Sequence, residues 1–289
     1  MLSTAEILKK VKELEIKSKK LTTHLFTGEY HSAFKGKGMS FREVREYYAG
    51  DDVRFIDWNV SARFGHPFSK VFEEERELTV MLLIDVSASS FFGTVNLNKK
   101  DVATEIAAVL SFSVVNNGDK IGVILFSDKI EKYIPPKKGK QHALYILREL
   151  LSVEPAKKGT ALNKALRYFT NTTRQKSIAF ILSDFIDANY EDQLRIAAKK
   201  HDIIGLKLYD KMEQLLPNIG LLRVEDAETG TQQWVDTSSA FVRHQYEREF
   251  FRITDYSNGV FKKCGADLLH LRTDQDYVKV LQRFFISRT

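Results

Sequence analysis

From residue 77 onward, short apolar runs alternate with longer amphipathic stretches. ELTVMLLID (77–85), KIGVILFS (120–127), KSIAFILSD (176–184), DIIGLKLYD (202–210) and ADLLHLRT (266–273) predict strands. Their near-continuous Val, Ile and Leu content suits strands covered on both faces. KDVATEIAAVLSFSVVNN (100–117), KQHALYILRELLS (140–152), TALNKALRYFTNTT (160–173) and YEDQLRIAAKKH (190–201) read as helices between them, with IEKYIPP (130–136) a further short strand. The alternation predicts an α/β fold: a doubly wound, mainly parallel sheet with helices on both faces. LLRVED and QQWVDT flank AETGT, a hairpin inserted at 221–237 whose Gly230 can take positive φ in the turn. A long helix from about Ser238 to Cys264 follows, with Gly259 as a point of bending or splitting, and DQDYVKVLQRFFIS (274–287) closes the chain as a helix.

The first 74 residues follow another rule. Ile7, Leu8, Val11, Leu14 and Leu21 fall near helical spacing, so a helix is expected over 4–21 with Ser3 or Thr4 as its N-cap. From Thr27 to Pro67 the period breaks in favour of glycine, aromatics and alternating charge. The expected organisation is therefore a helix with an irregular charged and aromatic extension over 1–74, packing on a main domain over 75–289. Within Arg42–Arg63, Arg45, Asp51, Asp52, Arg54, Asp57, Trp58 and Arg63 crowd together. The favoured account is an ion-paired strap anchored by Trp58; the competing one is a partner-docking surface.

Composition narrows the function classes. The chain has 289 residues, 43% of them hydrophobic, enough for at least one full core. No stretch approaches the roughly 20 apolar residues of a membrane span, and the N-terminus has no signal-peptide core, so a cytoplasmic location is expected. The single cysteine, Cys264, forms no internal disulfide and supports no cysteine-based zinc site. The seven histidines are scattered without HExxH spacing, so histidine-held metal is not expected either. Net charge is +6, with lysines concentrated at 9–20, 35–37 and 132–142 and the acidic run EEERE at 73–77 opposing them. No nucleic-acid reading motif accompanies that charge, and solvated faces explain it.

The candidate chemistry lies at strand ends, where ligands bind in open α/β sheets. Asp85 ends the strand in MLLIDVSAS and is followed by Ser87 and Ser89; Asp184 ends a later strand; Thr160 opens a helix in KKGTALNKAL. Together these offer two carboxylates and three hydroxyls, hard oxygens that suit Mg²⁺ or Mn²⁺. Largely neutral ligands would leave the ion hungry for another oxygen, which favours an outside carboxylate. The competing reading is that Asp85, Ser87 and Ser89 cap the following helix and tighten the turn.

The DVSAS stretch, the threonine in a GT-bearing loop and the later strand-closing aspartate resemble the metal-ion-dependent adhesion site of von Willebrand factor A domains. REVREYYAGDDVRFIDWNVSAR (42–63), joined to FEEERELTVMLLIDVSAS, further resembles the bacterial domain-of-unknown-function family 58, which carries such a domain; the resemblance runs from about Gly28 to the last helix. It implies a von Willebrand factor A-like fold in which Ser87, Ser89 and Thr160 bind Mg²⁺ through hydroxyls while Asp85 and Asp184 act largely through water. A partner's acidic residue would fill the remaining position. Ala88 and Ala161 depart from the commonest pattern, which has glycine and aspartate there; the second departure could loosen the site.

A binding module follows from that resemblance: a cytoplasmic adaptor working with a MoxR-type AAA+ ATPase or its client, with no catalytic residue of its own. The alternative is a metal-dependent phosphohydrolase, but the acid–base carboxylate such chemistry wants two residues after Asp85 is Ser87. A GxSxG elbow is absent, and KGKGMS (35–40) does not form a phosphate-binding P-loop.

Overall fold

The computed structural model describes residues 6, 7, 9–15, 40–73, 77–94, 97–153, 159–226 and 230–288. The expected N-cap at Ser3 or Thr4, Leu8, Leu21, the lysines at 17–20 and 35–37, and Glu74, Glu75 and Arg76 lie outside them. Two compact units form: Phe34–Leu78, and the remainder, Met1–Ala33 with Thr79–Thr289. The division thus falls after Leu78 rather than at the expected 74/75, and the first helix groups with the main domain rather than with the extension.

In the smaller unit, β1 (Ser40–Glu46) and β2 (Phe68–Glu73) pair antiparallel, and between them lies α1 (Trp58–Phe64). Asp57 starts α1 by accepting the N–H groups of Asn59 and Val60, and Gly65, at φ 76°, ends it. The ion pairs expected here are short-range: Arg45 to Asp51 at 2.8 Å, Arg54 to Asp52 at 2.6 Å. Trp58 is 71% exposed and so is not the buried apolar anchor the strap account called for.

The larger unit is built on a six-stranded sheet of β3 (Thr79–Asp85), β4 (Lys120–Phe126), β5 (Ile130–Lys137), β6 (Ile178–Ser183), β7 (Asp202–Tyr209) and β10 (Asp267–Arg272), in the order β10-β7-β6-β3-β4-β5. All neighbours pair in parallel except β4 and β5. Only Ser127, Asp128 and Lys129 join those two, too short for a parallel crossover. Helices α2 (Lys99–Asn116), α3 (Lys140–Ser152), α4 (Leu162–Thr172), α5 (Glu191–Lys200), α6 (Lys211–Gln214), α7 (Ala240–Cys264) and α8 (Tyr277–Arg288) also belong to this unit.

Both sheet faces are covered. Met81, Leu83, Ala179 and Ile181 meet Leu166 and Phe169 of α4, Leu194 of α5 and Phe261 of α7 on one face. On the other, Phe180 meets Phe285 of α8 edge to face at 6.3 Å. Helical residues within 6–15 dock on α2 and α3, placing Val11 among Ala108, Phe112, Ala143 and Leu147. The inserted hairpin pairs β8 (Leu221–Glu225) with β9 (Gln232–Asp236), and Gly230 takes φ 71°. Gly259 neither ends nor splits α7, which runs through it; Val260 and Phe261 beside it are buried in the core. Among the described residues no helix is long and apolar enough to cross a membrane.

Sheet order positions the site. From β3 the chain winds outward through β4 and β5, then returns to the opposite side of β3 as β6 and continues to β7 and β10. Loops leaving β3 and β6 therefore diverge, and a crevice opens between their carboxyl ends.

Candidate metal centre

Asp85 is the last residue of β3 and is buried. Its Oδ1 accepts the Ser87 N–H at 2.9 Å, and its Oδ2 accepts the hydroxyl of Ser183, the last residue of β6, at 2.8 Å. A short 3-10 turn over Ala88–Phe91 follows, in which the Ser87 side chain makes no capping bond. Helix α2 begins only at Lys99, capped reciprocally by Asn98 and Asp101. The capping alternative for Ser87 and Ser89 is thus replaced: Asp85 does tighten the turn, but the two hydroxyls face each other at 3.2 Å.

Asp184 follows β6 directly, on a loop where Phe185 has φ 53° and Asn189 φ 70°. Positive φ is costly for a phenylalanine. Burial against Phe261, ring centroids 5.2 Å apart, holds it there and fixes Asp184 at the crevice. Asp184 Oδ2 receives the Lys99 ammonium at 2.9 Å, and the Ser89 hydroxyl lies near enough to help lower this carboxyl's pKa. The same ammonium lies 2.7 Å from Glu213 Oε1 in α6, and Lys207 of β7 donates to the Asp184 carbonyl.

Thr160 precedes α4, whose N-cap position is Ala161. The Ala161 N–H bonds the Ser127 carbonyl at 2.8 Å, tying this loop to the end of β4. Asp187, from the loop after β6, accepts the Leu162 N–H at 2.9 Å. A carboxylate thus reaches the start of α4 from another loop, beside the position where the resembled pattern has its own aspartate. Ser89, Thr160 and Asp184 line one cleft of about 700 Å³, with Asp187, Glu213, Glu225 and Asp226 on its walls. Asp85 and Ser87 lie buried behind Ser89.

Burial, then the negative charge of Asp184, raises the Asp85 carboxyl well above the ordinary range, against the hydrogen bonds from Ser87 and Ser183. Burial also works to raise Asp184, but Lys99 and the Ser89 hydroxyl outweigh it and hold that carboxyl low. Burial works against the Lys99 ammonium, yet Asp184 and Glu213 hold its pKa above the usual value. Burial lowers Lys207 to about 8.

These donors fit a small divalent ion. Oxygens at about 2.1 Å in an octahedral shell stand about 3 Å apart at adjacent corners, close to the Ser87–Ser89 spacing. Two neighbouring buried carboxylates, one of them raised first by burial and then by the charge of the other, also mark a place where added positive charge is favourable. Among the described residues no group of three or more His, Cys, Asp or Glu side chains is placed to hold a metal. An ion here would rest chiefly on hydroxyls and water.

Sequence reading missed Ser183, Asp187, Lys99, Lys207 and Glu213. Lys207 carried a usable signal, being the one cation within the apolar strand DIIGLKLYD. Lys99 carried none, because beside Lys100 it reads as one of two solvated lysines.

Fold and site together define a doubly wound α/β protein with an oxygen-donor cluster at its switch point. The chain belongs to the DUF58 family, described as protein of unknown function, whose profile matches residues 43–254. It is 31% identical over 281 residues to the uncharacterized protein Rv1480 of Mycobacterium tuberculosis, covering 96% of this chain and 88% of the relative. With the uncharacterized protein YeaD of Bacillus subtilis it shares 33% over 107 residues, 37% of this chain and 25% of the relative. Among solved structures, the conserved hypothetical protein BatB of Bacteroides thetaiotaomicron aligns over 73% of this chain and 98% of its own, at 17% identity and a TM-score of 0.48.

Proposed function

We propose that this protein is a cytoplasmic interaction module that grips an acidic side chain of a partner protein at a Mg²⁺- or Mn²⁺-completed site. Asp85, Ser87, Ser89, Thr160 and Asp184 would hold the ion. Bound there, it would supply a Lewis-acidic position open to one more carboxylate oxygen. The observation that carries the reading is the pair of facing hydroxyls, Ser87 and Ser89, set between Asp85 and Asp184, with Ser87 buried and Ser89 and Asp184 lining the cleft.

The chain's own residues prepare this capture. Ser183 and the Ser87 N–H orient Asp85, Phe185 packing orients Asp184, and the hairpin and α7 wall the cleft through Val224, Gln233 and Tyr246. No catalytic residue is required. The family resemblance supports a MoxR-type AAA+ ATPase, or a client of one, as the partner.

The test is a pull-down with such an ATPase in Mg²⁺ and in EDTA. Binding should need the metal and vanish in folded Asp85→Ala; EDTA-resistant binding that survives the substitution removes the proposal. Metal-dependent phosphatase turnover by the purified chain, lost in Asp85→Ala, would replace it with the phosphohydrolase reading.

A further inference from the structure

A lysine in the first turn of a helix normally extends into water, as its stem is long and its charge strongly hydrated. Lys99 does the opposite. It is only 2% exposed, and its ammonium bridges Asp184 Oδ2 at 2.9 Å and Glu213 Oε1 at 2.7 Å. Neighbouring Lys100 instead reaches the Val153 carbonyl at 3.1 Å.

The bridge is fixed at both ends. Glu213 Oε2 accepts the Asp210 N–H at 2.7 Å, closing a capping box on α6. Asp210 in turn accepts the hydroxyls of Thr94 and Thr273 at 2.6 and 3.1 Å. Glu213 thus belongs to the rigid frame. Lys99 cannot follow Asp184 toward an incoming ion without breaking its second, partly buried pair with Glu213.

Resting on the metal reading above, we propose that Lys99 is a built-in cation that sets the affinity of the site. It occupies one Asp184 oxygen and neutralises that carboxylate. A divalent ion is then held loosely by this chain alone and firmly only once a partner carboxylate is added. Lys99 is a positioning residue, acting on the ion through Asp184.

The test is Mn²⁺ binding to the full chain, followed by the paramagnetic resonance signal of free Mn²⁺ and by competition with Mg²⁺. Because Lys99→Gln alone leaves two carboxylates, buried Asp184 and half-buried Glu213, without their cation, the decisive variant is the double Lys99→Gln, Glu213→Gln, which removes one charge of each sign. Its fold is checked by circular dichroism. Expected is a dissociation constant at least about tenfold below that of the unsubstituted chain, the scale on which outer-shell partners act. Ser87→Ala in the same background should lose the gain, and Lys99→Arg, which keeps the charge, should leave affinity near its original value. An unchanged or weaker constant in the folded double variant, while the unsubstituted chain binds, overturns the role given to Lys99. Absence of binding in every variant overturns the metal reading itself, and the role of Lys99 with it.

Discussion

Asp85 Oδ2 and Ser183 Oγ, 2.8 Å apart, join the carboxyl ends of the two strands between which the sheet order reverses. Ser183 Oγ also accepts the Phe185 N–H at 3.2 Å, so one hydroxyl ties Asp85 to the strained loop that presents Asp184. Ser183→Ala leaves a buried carboxylate oxygen and a buried N–H short of partners. We predict a loss of about 1–3 kcal/mol, measured by urea unfolding. A loss below the error of the measurement would show that the bond does not fasten the loop.

Lys99 gives a larger effect. Its removal in Lys99→Ala leaves buried Asp184 and half-buried Glu213 without their shared cation. Breaking a buried pair from one side costs about 3–5 kcal/mol, and a loss of that order is expected. Adding Glu213→Gln should recover part of it, because one stranded charge then disappears. Equal midpoints for the single and double variants would mean that Glu213 finds solvent once Lys99 is gone.

Much of this architecture could be read from the chain because parallel strands buried on both faces are written as unbroken apolar runs. KQHALYILRELLS coincides with α3, and each predicted strand of the sheet lies within two residues of its observed limits. Asp85 and Asp184 were legible because a strand end is a local feature. The direction of β5 was also available, in a three-residue connection that forbids a parallel return. Lys99 was not. Whether a side chain turns inward there depends on carboxylates 85 and 114 residues away, and nothing in its own neighbourhood encodes them. The short 3-10 turn after Ser87 was hidden for a similar reason: small hydroxyl residues serve equally as helix caps and as a ligand loop.

Gly205 lies in the middle of β7, where a side chain would project between α7 and β10. A Cβ there would stand 2.6 Å from both Leu268 Cδ1 and Phe261 Cε1. Gly205→Ala is expected to destabilise by about 1–3 kcal/mol, overpacking outweighing the backbone entropy that alanine saves. Thermal unfolding checks the sign: a raised midpoint would mean that the Phe261 ring moves aside freely.

His201 predicts a pH dependence. Its ring packs on Phe169 at 4.4 Å, Nδ1 pairs with Ser177 Oγ at 2.9 Å, and Nε2 has no hydrogen-bond partner among the described residues. Burial, with the neighbouring Lys200 charge, lowers its pKa to about 4. The unfolded chain takes up this proton near the ordinary histidine value of about 6.5. Between those values the unfolded state binds more protons, so stability falls as pH falls through the window and the contribution is complete above it. Unfolding midpoints measured from pH 7 to 4 should drop more steeply for the unsubstituted chain than for His201→Gln. Parallel profiles would mean that the buried ring takes the proton without penalty.

Asp85 is the residue at which binding and stability conflict. Burial first, and the like charge of Asp184 beside it second, raise the pKa of its carboxyl. An amide of the same shape keeps an oxygen for the Ser87 N–H, can donate to the Ser183 hydroxyl, and carries no charge. Without divalent metal, Asp85→Asn should therefore stabilise the protein by about 1 kcal/mol at neutral pH, as relief of strain at a binding site commonly does. The gain should grow as pH rises, because the unfolded carboxyl ionises near pH 4 while the folded one resists, so the unsubstituted chain loses stability across that interval. Urea unfolding in EDTA at pH 5 and pH 8 measures both effects. A destabilised variant, or a difference independent of pH, would show that the Asp85 charge is already balanced within the fold.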